Sequence, residues 1–292
     1  NNGDTDPQDY DEIDYGVNDY QVIFQGLERD FIVYVPESYN HQNPSPILFV
    51  FHGFGGSNDF IMSYSGFNLI AEQENFIVVY PKGSDFWGIP HWNVGGWTIS
   101  STTDDVSFVN FLIDLISDEY NTDQNRLYAT GMSNGGFFSF LLACQMSDKF
   151  AAIASVTGSM TPETFSNCNP QKEVPILQIH GTDDPLVTYG GGINNGNFLN
   201  QDWSLGIEEV LDYWVQTNYC SENSTTFLLN DSNPNDNFWI ERIIYQDGFR
   251  GSVVDHYKVF GGEHTWFNNQ DINSSELIWE FFSNHDINGY ID

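Results

Sequence analysis

Short apolar runs alternate along the chain with stretches whose apolar positions recur three and four residues apart. Residues 20–24 and 29–35 alternate or run apolar around Gly26, as in a hairpin at a sheet edge, and Pro36 closes them. Residues 46–51 (Pro-Ile-Leu-Phe-Val-Phe) are apolar throughout, the mark of a strand covered on both faces. The pattern predicts a helix over 59–72 and a strand over 76–80 that Pro81 stops. Residues 84–96 read as an irregular, aromatic-rich loop. Val106, Val109, Leu112, Ile113 and Ile116 stand near helical spacing, so 104–120 is a predicted helix, capped by Thr103 or Asp104. Further strands are expected at 151–156, 174–179, 238–245 and 253–260, and helices at 205–218 and 274–284, with a Gly/Asn-rich loop at 190–200. Strands that alternate with helices predict an α/β fold with a mostly parallel sheet covered on both faces. One domain over 17–292 is expected, behind a flexible leader, 1–16, that is acidic and poor in apolar residues.

The stretch Arg126-Leu127-Tyr128-Ala129-Thr130-Gly131-Met132-Ser133-Asn134-Gly135-Gly136 changes this picture from a fold to a chemistry. It opens as a buried strand and runs into the apolar helix that begins near Phe137. A strand that turns into a helix within about two residues crowds its own backbone, and glycines two before and two after the apex relieve the crowding. Gly131 and Gly135 stand there, so Ser133 is expected at the apex, near the positive end of the helix. The competing reading is an ordinary glycine turn; the flanking strand and helix favour the nucleophile elbow of an α/β-hydrolase fold.

A serine hydroxyl needs a base in reach, and that base needs an acid to hold its tautomer. Ser133, Asp184 and His264 each follow a predicted strand and come in the order nucleophile, acid, base. His264, between the last strand and the last helix, is the expected base ahead of His41, His52, His91, His180, His256 and His285. Asp183 adjoins Asp184, but the spacing Gly-x-x-Asp from Gly181 selects Asp184 and leaves Asp183 as a solvated loop acid. The oxyanion donors are expected to be the backbone N–H groups of Asn134 and Phe54, with Gly53 as the alternative to Phe54.

The chain has 292 residues, with 8 Lys+Arg against 41 Asp+Glu, a formal net charge of -33. Such a surface repels nucleic acid and anionic lipid, so neither is an expected partner. It suits solubility in salty water, where screening weakens self-repulsion. No apolar run approaches the length needed to span a bilayer. The chain opens on Asn1 rather than Met, and a processed or trimmed form is expected. Asp4-x-Asp6 faintly resembles a calcium loop, but the rest of that pattern is missing. Cys144, Cys168 and Cys220 lack the spacing of a zinc site, so no metal and no cofactor is expected.

With these motifs in place, the chain resembles the polyhydroxybutyrate-depolymerase-like and feruloyl-esterase-like branch of the α/β-hydrolases. The matching residues are His52-Gly53-Phe54-Gly55-Gly56, Asp104-Asp105-Val106, Gly131 to Gly136, His180-Gly181-Thr182-Asp183-Asp184-Pro185 and Gly262-Glu263-His264-Thr265-Trp266. The resemblance implies a secreted serine esterase acting on polyesters or on hydroxycinnamoyl esters of plant polysaccharide; an acyl-enzyme route, a secreted or cell-surface location and a monomer are the expectations here. Glu263 stands where the family usually has a third Gly, and family cysteines near Gly95-Gly96 and Gln246 are missing. A serine peptidase or a short-chain or acetyl esterase would use the same triad; a non-catalytic binding module would normally lack one of its members. Trp266, Trp92 and Trp97 are expected to line an apolar cleft for the acyl group, with a place in the core as the competing expectation. The helix after the elbow and the loop beyond the next strand are neighbours in such a sheet. A bridge between Cys144 and Cys168 is therefore feasible, and the resemblance implies it, with Cys220 left as a free thiol. Pairing of Cys168 with Cys220 is the alternative.

Overall fold

The computed structural model describes residues 13–291 except 99, 195, 197 and 198. Most of the expected leader thus lies outside the described residues, as does its Asp4-x-Asp6 pattern. Residues 13–15 carry no regular structure, and the first strand starts at Gly16.

Ten strands form one sheet: β1 (Gly16–Phe24), β2 (Leu27–Val35), β3 (Ser45–Phe51), β4 (Ile77–Pro81), β5 (Thr122–Met132), β6 (Ala152–Val156), β7 (Ile176–Gly181), β8 (Thr225–Leu228), β9 (Trp239–Tyr245) and β10 (Val254–Phe260). Their order across the sheet is β1-β2-β4-β3-β5-β6-β7-β10-β9-β8. The six central strands, β4 to β10 in that order, are mutually parallel. β1 and β2 at one edge and β9 and β8 at the other are antiparallel additions.

The apolar run of β3 shows why the centre is parallel. Ile47, Phe49 and Phe51 enter the core on one face, and Leu48 and Val50 enter the core on the other. A strand buried on both faces needs helices on both, and the crossovers between parallel strands supply them. α3 (Asp105–Glu119), α4 (Asn134–Gln145) and α6 (Ile207–Thr217) cover the first face; α1 (Asn58–Ser65), α2 (Phe67–Glu74) and α7 (Ser274–Ser283) cover the second. Asp104 rather than Thr103 caps α3, its side chain accepting from Ser107 N at 3.0 Å.

Three local expectations are corrected and two elements are added. The helix expected over 59–72 is two helices, because Gly66 takes φ 69° and its left-handed turn ends α1 and starts α2. The strand expected over 76–80 runs one residue further and ends at Pro81 itself, which pairs antiparallel with Phe31. The loop over 84–96 contains a small hairpin, Ser84–Phe86 with Ile89–His91. α5 (Pro162–Asn167) and β8 were not expected: α5 is one short turn capped by Thr161, and the residues of β8 are all exposed, so neither carries a burial pattern.

Candidate active site

Ser133 sits between β5 and α4 with φ 55° and ψ −121°, a backbone region that non-glycine residues rarely occupy. Its N–H donates to Val156 O at 2.9 Å and its carbonyl accepts from Phe137 N at 3.0 Å, so sheet and helix hold the apex from both sides. The flanking glycines are steric necessities. A Cβ on Gly131 would lie 2.5 Å from the carbonyl carbon of Gly135, and one on Gly135 would meet the Phe51 carbonyl.

The turn after β3 lies against the apex. A Cβ on Gly53 would be 3.4 Å from Ser133 Cβ. The Gly53 carbonyl accepts from Gly56 N at 2.9 Å and from His52 Nδ1 at 2.7 Å. A trans peptide sets N–H and C=O on opposite sides, so the N–H of Phe54 points away from those donors. His52 is buried and its Nε2 accepts from Gly83 N at 2.9 Å, so this ring braces the turn. Burial lowers the His52 pKa to about 4, which keeps it neutral.

Asp184 and His264 meet across two loops. Asp184 Oδ2 accepts from His264 Nδ1 at 2.7 Å. Its other oxygen accepts from Leu186 N at 2.8 Å and Val187 N at 2.9 Å, which fixes the carboxylate in the turn after β7. The loops approach backbone to backbone: Asp183 N donates to Gly262 O at 3.0 Å, and a Cβ on Gly181 would strike that same carbonyl. Asp183 is exposed, its carboxylate taken by Thr182 Oγ1 at 2.9 Å. A second imidazole stands by: His180 Nε2 is 3.4 Å from Asp184 Oδ2 and 2.8 Å from Val187 O. Burial lowers the pKa of His180, and its Nδ1 lies 3.1 Å from Gln178 Nε2, a donor. His180 is therefore a neutral imidazole that donates from Nε2 and supports the turn.

Ser133 and His264 line a common cavity of about 700 Å³, with Gly53, Phe54, Gly55 and Gly56 on one wall. Of the three tryptophans expected there, Trp97 lines it, its ring 5.6 Å from Phe54 and 5.9 Å from Phe137. Trp92 and Trp266 do not. Trp92 is fully buried: its Nε1 donates to His52 O at 2.9 Å, and its backbone N–H and C=O pair with the Asn134 side-chain amide at 2.7 and 3.0 Å. It ties the turn after β3 to the first residue of α4. Trp266 is buried against Phe67, and its Nε1 donates to Ser275 Oγ at 2.9 Å.

Phe60, Phe137, Leu186, Ile193 and Trp203 are among the residues that also line the cavity without having been expected there. At these positions residue type alone does not tell lining from core. Asp104 and Asp105 prove structural: Asp105 is buried in an ion pair with Arg29 at 2.8 Å and accepts from Asn93 N at 2.8 Å. Among the described residues no group of three or more His, Cys, Asp or Glu is placed to hold a metal ion. Cys144 and Cys168 form a disulfide, Cα–Cα 4.8 Å, and Cys220 is a buried free thiol that burial holds at a pKa of about 11.

A family model described as "Putative esterase" matches residues 25–266. A bifunctional acetylxylan esterase/xylanase of Neocallimastix patriciarum is 30% identical over 277 residues, which is 94% of this chain and 36% of that protein. Feruloyl esterase B of Piromyces equi is 29% identical over 195 residues, 66% of this chain and 36% of that protein. The chain thus matches about a third of the length of these two curated relatives, 36% in each case. Among solved structures, an acetyl xylan esterase from Aspergillus awamori has the same fold, with TM-score 0.65 at 17% identity over 91% of this chain and 99% of that one.

Proposed function

The chain belongs to the esterase family whose model spans residues 25–266, and from that premise we propose that it hydrolyses carboxylic esters with Ser133 as nucleophile, His264 as base and Asp184 as the acid. The observation that carries this reading is the 2.7 Å contact from Asp184 Oδ2 to His264 Nδ1, with His264 and the strained Ser133 on one cavity. Because a carboxylate only accepts, Nδ1 carries the proton and Nε2 is left as the basic nitrogen. Nε2 takes the Ser133 proton as Oγ attacks the ester carbon. The N–H groups of Asn134 and Phe54 stabilise the oxyanion. The same imidazole then protonates the leaving alcohol, and water activated by His264 releases the acid from the acyl-enzyme.

The acyl group sits in the aromatic-walled cavity, whose volume of about 700 Å³ exceeds what an acetyl group fills. A hydroxycinnamoyl ester of plant polysaccharide is therefore the first reading of the substrate, and the name of the Piromyces equi relative points the same way. Polyester is the second, favoured by the apolar character of the lining. An acetyl ester is the third, and rests on the name of the Neocallimastix patriciarum relative. The disulfide fits an oxidising compartment, so secretion or a cell-surface location belongs to the proposal. So does a monomer without nucleic-acid partners or membrane insertion, on the strength of the surface charge.

Assays of wild type and Ser133→Ala on methyl ferulate, p-nitrophenyl acetate and polyhydroxybutyrate film test the reading. Wild type should turn over methyl ferulate with the highest kcat/KM, and Ser133→Ala should lose at least about a thousandfold of that rate. Cleavage of the amide that matches a good ester substrate would favour a serine peptidase instead.

A further inference from the structure

The hairpin Ser84–Phe86/Ile89–His91 turns through two residues, Trp87 with φ 53° and Gly88 with φ 80°. A two-residue turn with both φ angles positive is suited to Asn-Gly or Gly-Gly, because a Cβ in the left-handed region is crowded. This chain places a tryptophan at the first position, and that side chain is 91% exposed. Both choices oppose folding: the backbone is strained, and a large apolar side chain is left largely exposed. A residue that stability disfavours twice at one position points to a role in recognition.

The hairpin is anchored at its base and adjoins the site. Pro90 O accepts from Gly55 N at 2.7 Å, Ser84 O accepts from His91 Nδ1 at 2.8 Å, and Ser84 Oγ donates to Thr103 Oγ1 at 2.9 Å. Gly55 lines the cavity that holds Ser133. Trp87 is three residues from Pro90, so its Cα stands up to about 10 Å beyond that contact at ~3.3 Å per residue. A small alcohol leaving from the cavity cannot span that distance; a polymer of several sugar units can.

We propose that Trp87 forms a stacking subsite, outside the cavity, for a neutral sugar residue of the polysaccharide that carries the scissile ester. This rests on the polysaccharide-ester reading above. The C–H face of a pyranose ring sets partial positive charge against the negative face of the indole. The occupant is neutral because a chain of net charge -33, with Asp85 two residues before the tryptophan, repels an anionic polymer. The subsite binds the alcohol side of the ester and leaves the acyl side to the cavity.

Two measurements test this. In the first, Trp87→Ala and Trp87→Phe are assayed on p-nitrophenyl acetate and on soluble esterified xylan. Trp87→Ala should keep kcat and KM on the small ester within about twofold while KM on the xylan rises about 3- to 10-fold, and Trp87→Phe should recover part of that loss. In the second, Ser133→Ala and Ser133→Ala/Trp87→Ala are compared for adsorption to insoluble xylan, which needs no turnover; the double variant should bind at least about threefold more weakly. Equal adsorption, or an equal loss on small and polymeric esters, overturns the subsite. If wild type cleaves no ester while the adsorption difference persists, the hydrolase reading fails and the subsite stands.

Discussion

A serine with φ 55° and ψ −121° stores backbone strain of about 1–3 kcal/mol. In the proposed mechanism its hydroxyl repays that strain, so chemistry and stability separate at this residue. Ser133→Ala keeps the Cβ and the strain, and its turnover should fall at least about a thousandfold. Ser133→Gly should lose activity equally and yet unfold at higher urea than Ser133→Ala, by about 1 kcal/mol, because glycine accepts that backbone. Equal stability of the two variants would show that the apex is not strained. Asp184→Asn keeps the shape of the turn but can set an NH₂ against His264 Nδ1, which forces the proton onto Nε2. Turnover should fall by about four orders of magnitude, whereas the exposed Asp183→Asn should change it less than about twofold. Ester assays of both variants check the ranking. The spacing Gly-x-x-Asp from Gly181 singled out Asp184 over Asp183, and Asp184 is the one that meets His264. Trp92 and Trp266 were not legible in the same way. Each stands near a motif, but whether an indole faces the cavity or the core depends on partners as distant as Asn134 and Ser275.

Elements that cross the centre of the sheet were legible because burial on both faces writes itself into every position, as in β3. Two elements were not legible: β8, at one edge, is exposed along its whole length, and α5 is too short to show a period. The break at Gly66 turns on one φ angle, which a helical apolar pattern running through it conceals. The bridge from Cys144 to Cys168 joins the end of α4 to the end of α5 across 24 positions. Closing a loop of that length in the unfolded chain contributes about 3 kcal/mol in the chain-entropy model. Cys144→Ala/Cys168→Ala should therefore unfold roughly 5–10 °C lower than wild type, with the Cys220 thiol unreactive in both native proteins. Calorimetry with thiol titration checks this. An unchanged Tm would mean that the bridge does not constrain the unfolded state.

Over the whole molecule, two effects of acid oppose each other, and salt separates them. The net charge of -33 repels itself in the compact state, and protonating carboxylates relieves that repulsion as pH falls. Buried histidines act the other way. Burial lowers His52 from 6.5 to about 4 and His256 from 6.5 to about 3, and lowers His180 as well. Each is neutral in the fold and takes up a proton more readily in the unfolded chain, so the unfolded state binds more protons below pH 6.5. Stability is whole above that value, declines as pH falls below it, and goes on declining until the folded pKa is reached. For His52 the difference amounts to about 3 kcal/mol across the window from 6.5 to about 4, and the other two add with the same sign. In about 1 M NaCl the screening length shrinks to about 3 Å, so surface repulsion fades while the buried groups are untouched. At pH 7 the urea midpoint should therefore rise with added NaCl. In 1 M NaCl it should then fall between pH 6.5 and 4.5, with an unchanged urea slope. At low salt the same change of pH should lower it less, because relief of repulsion offsets part of the loss. A midpoint that climbs steadily toward pH 4.5 in 1 M NaCl would show that the buried imidazoles are not held neutral by the fold.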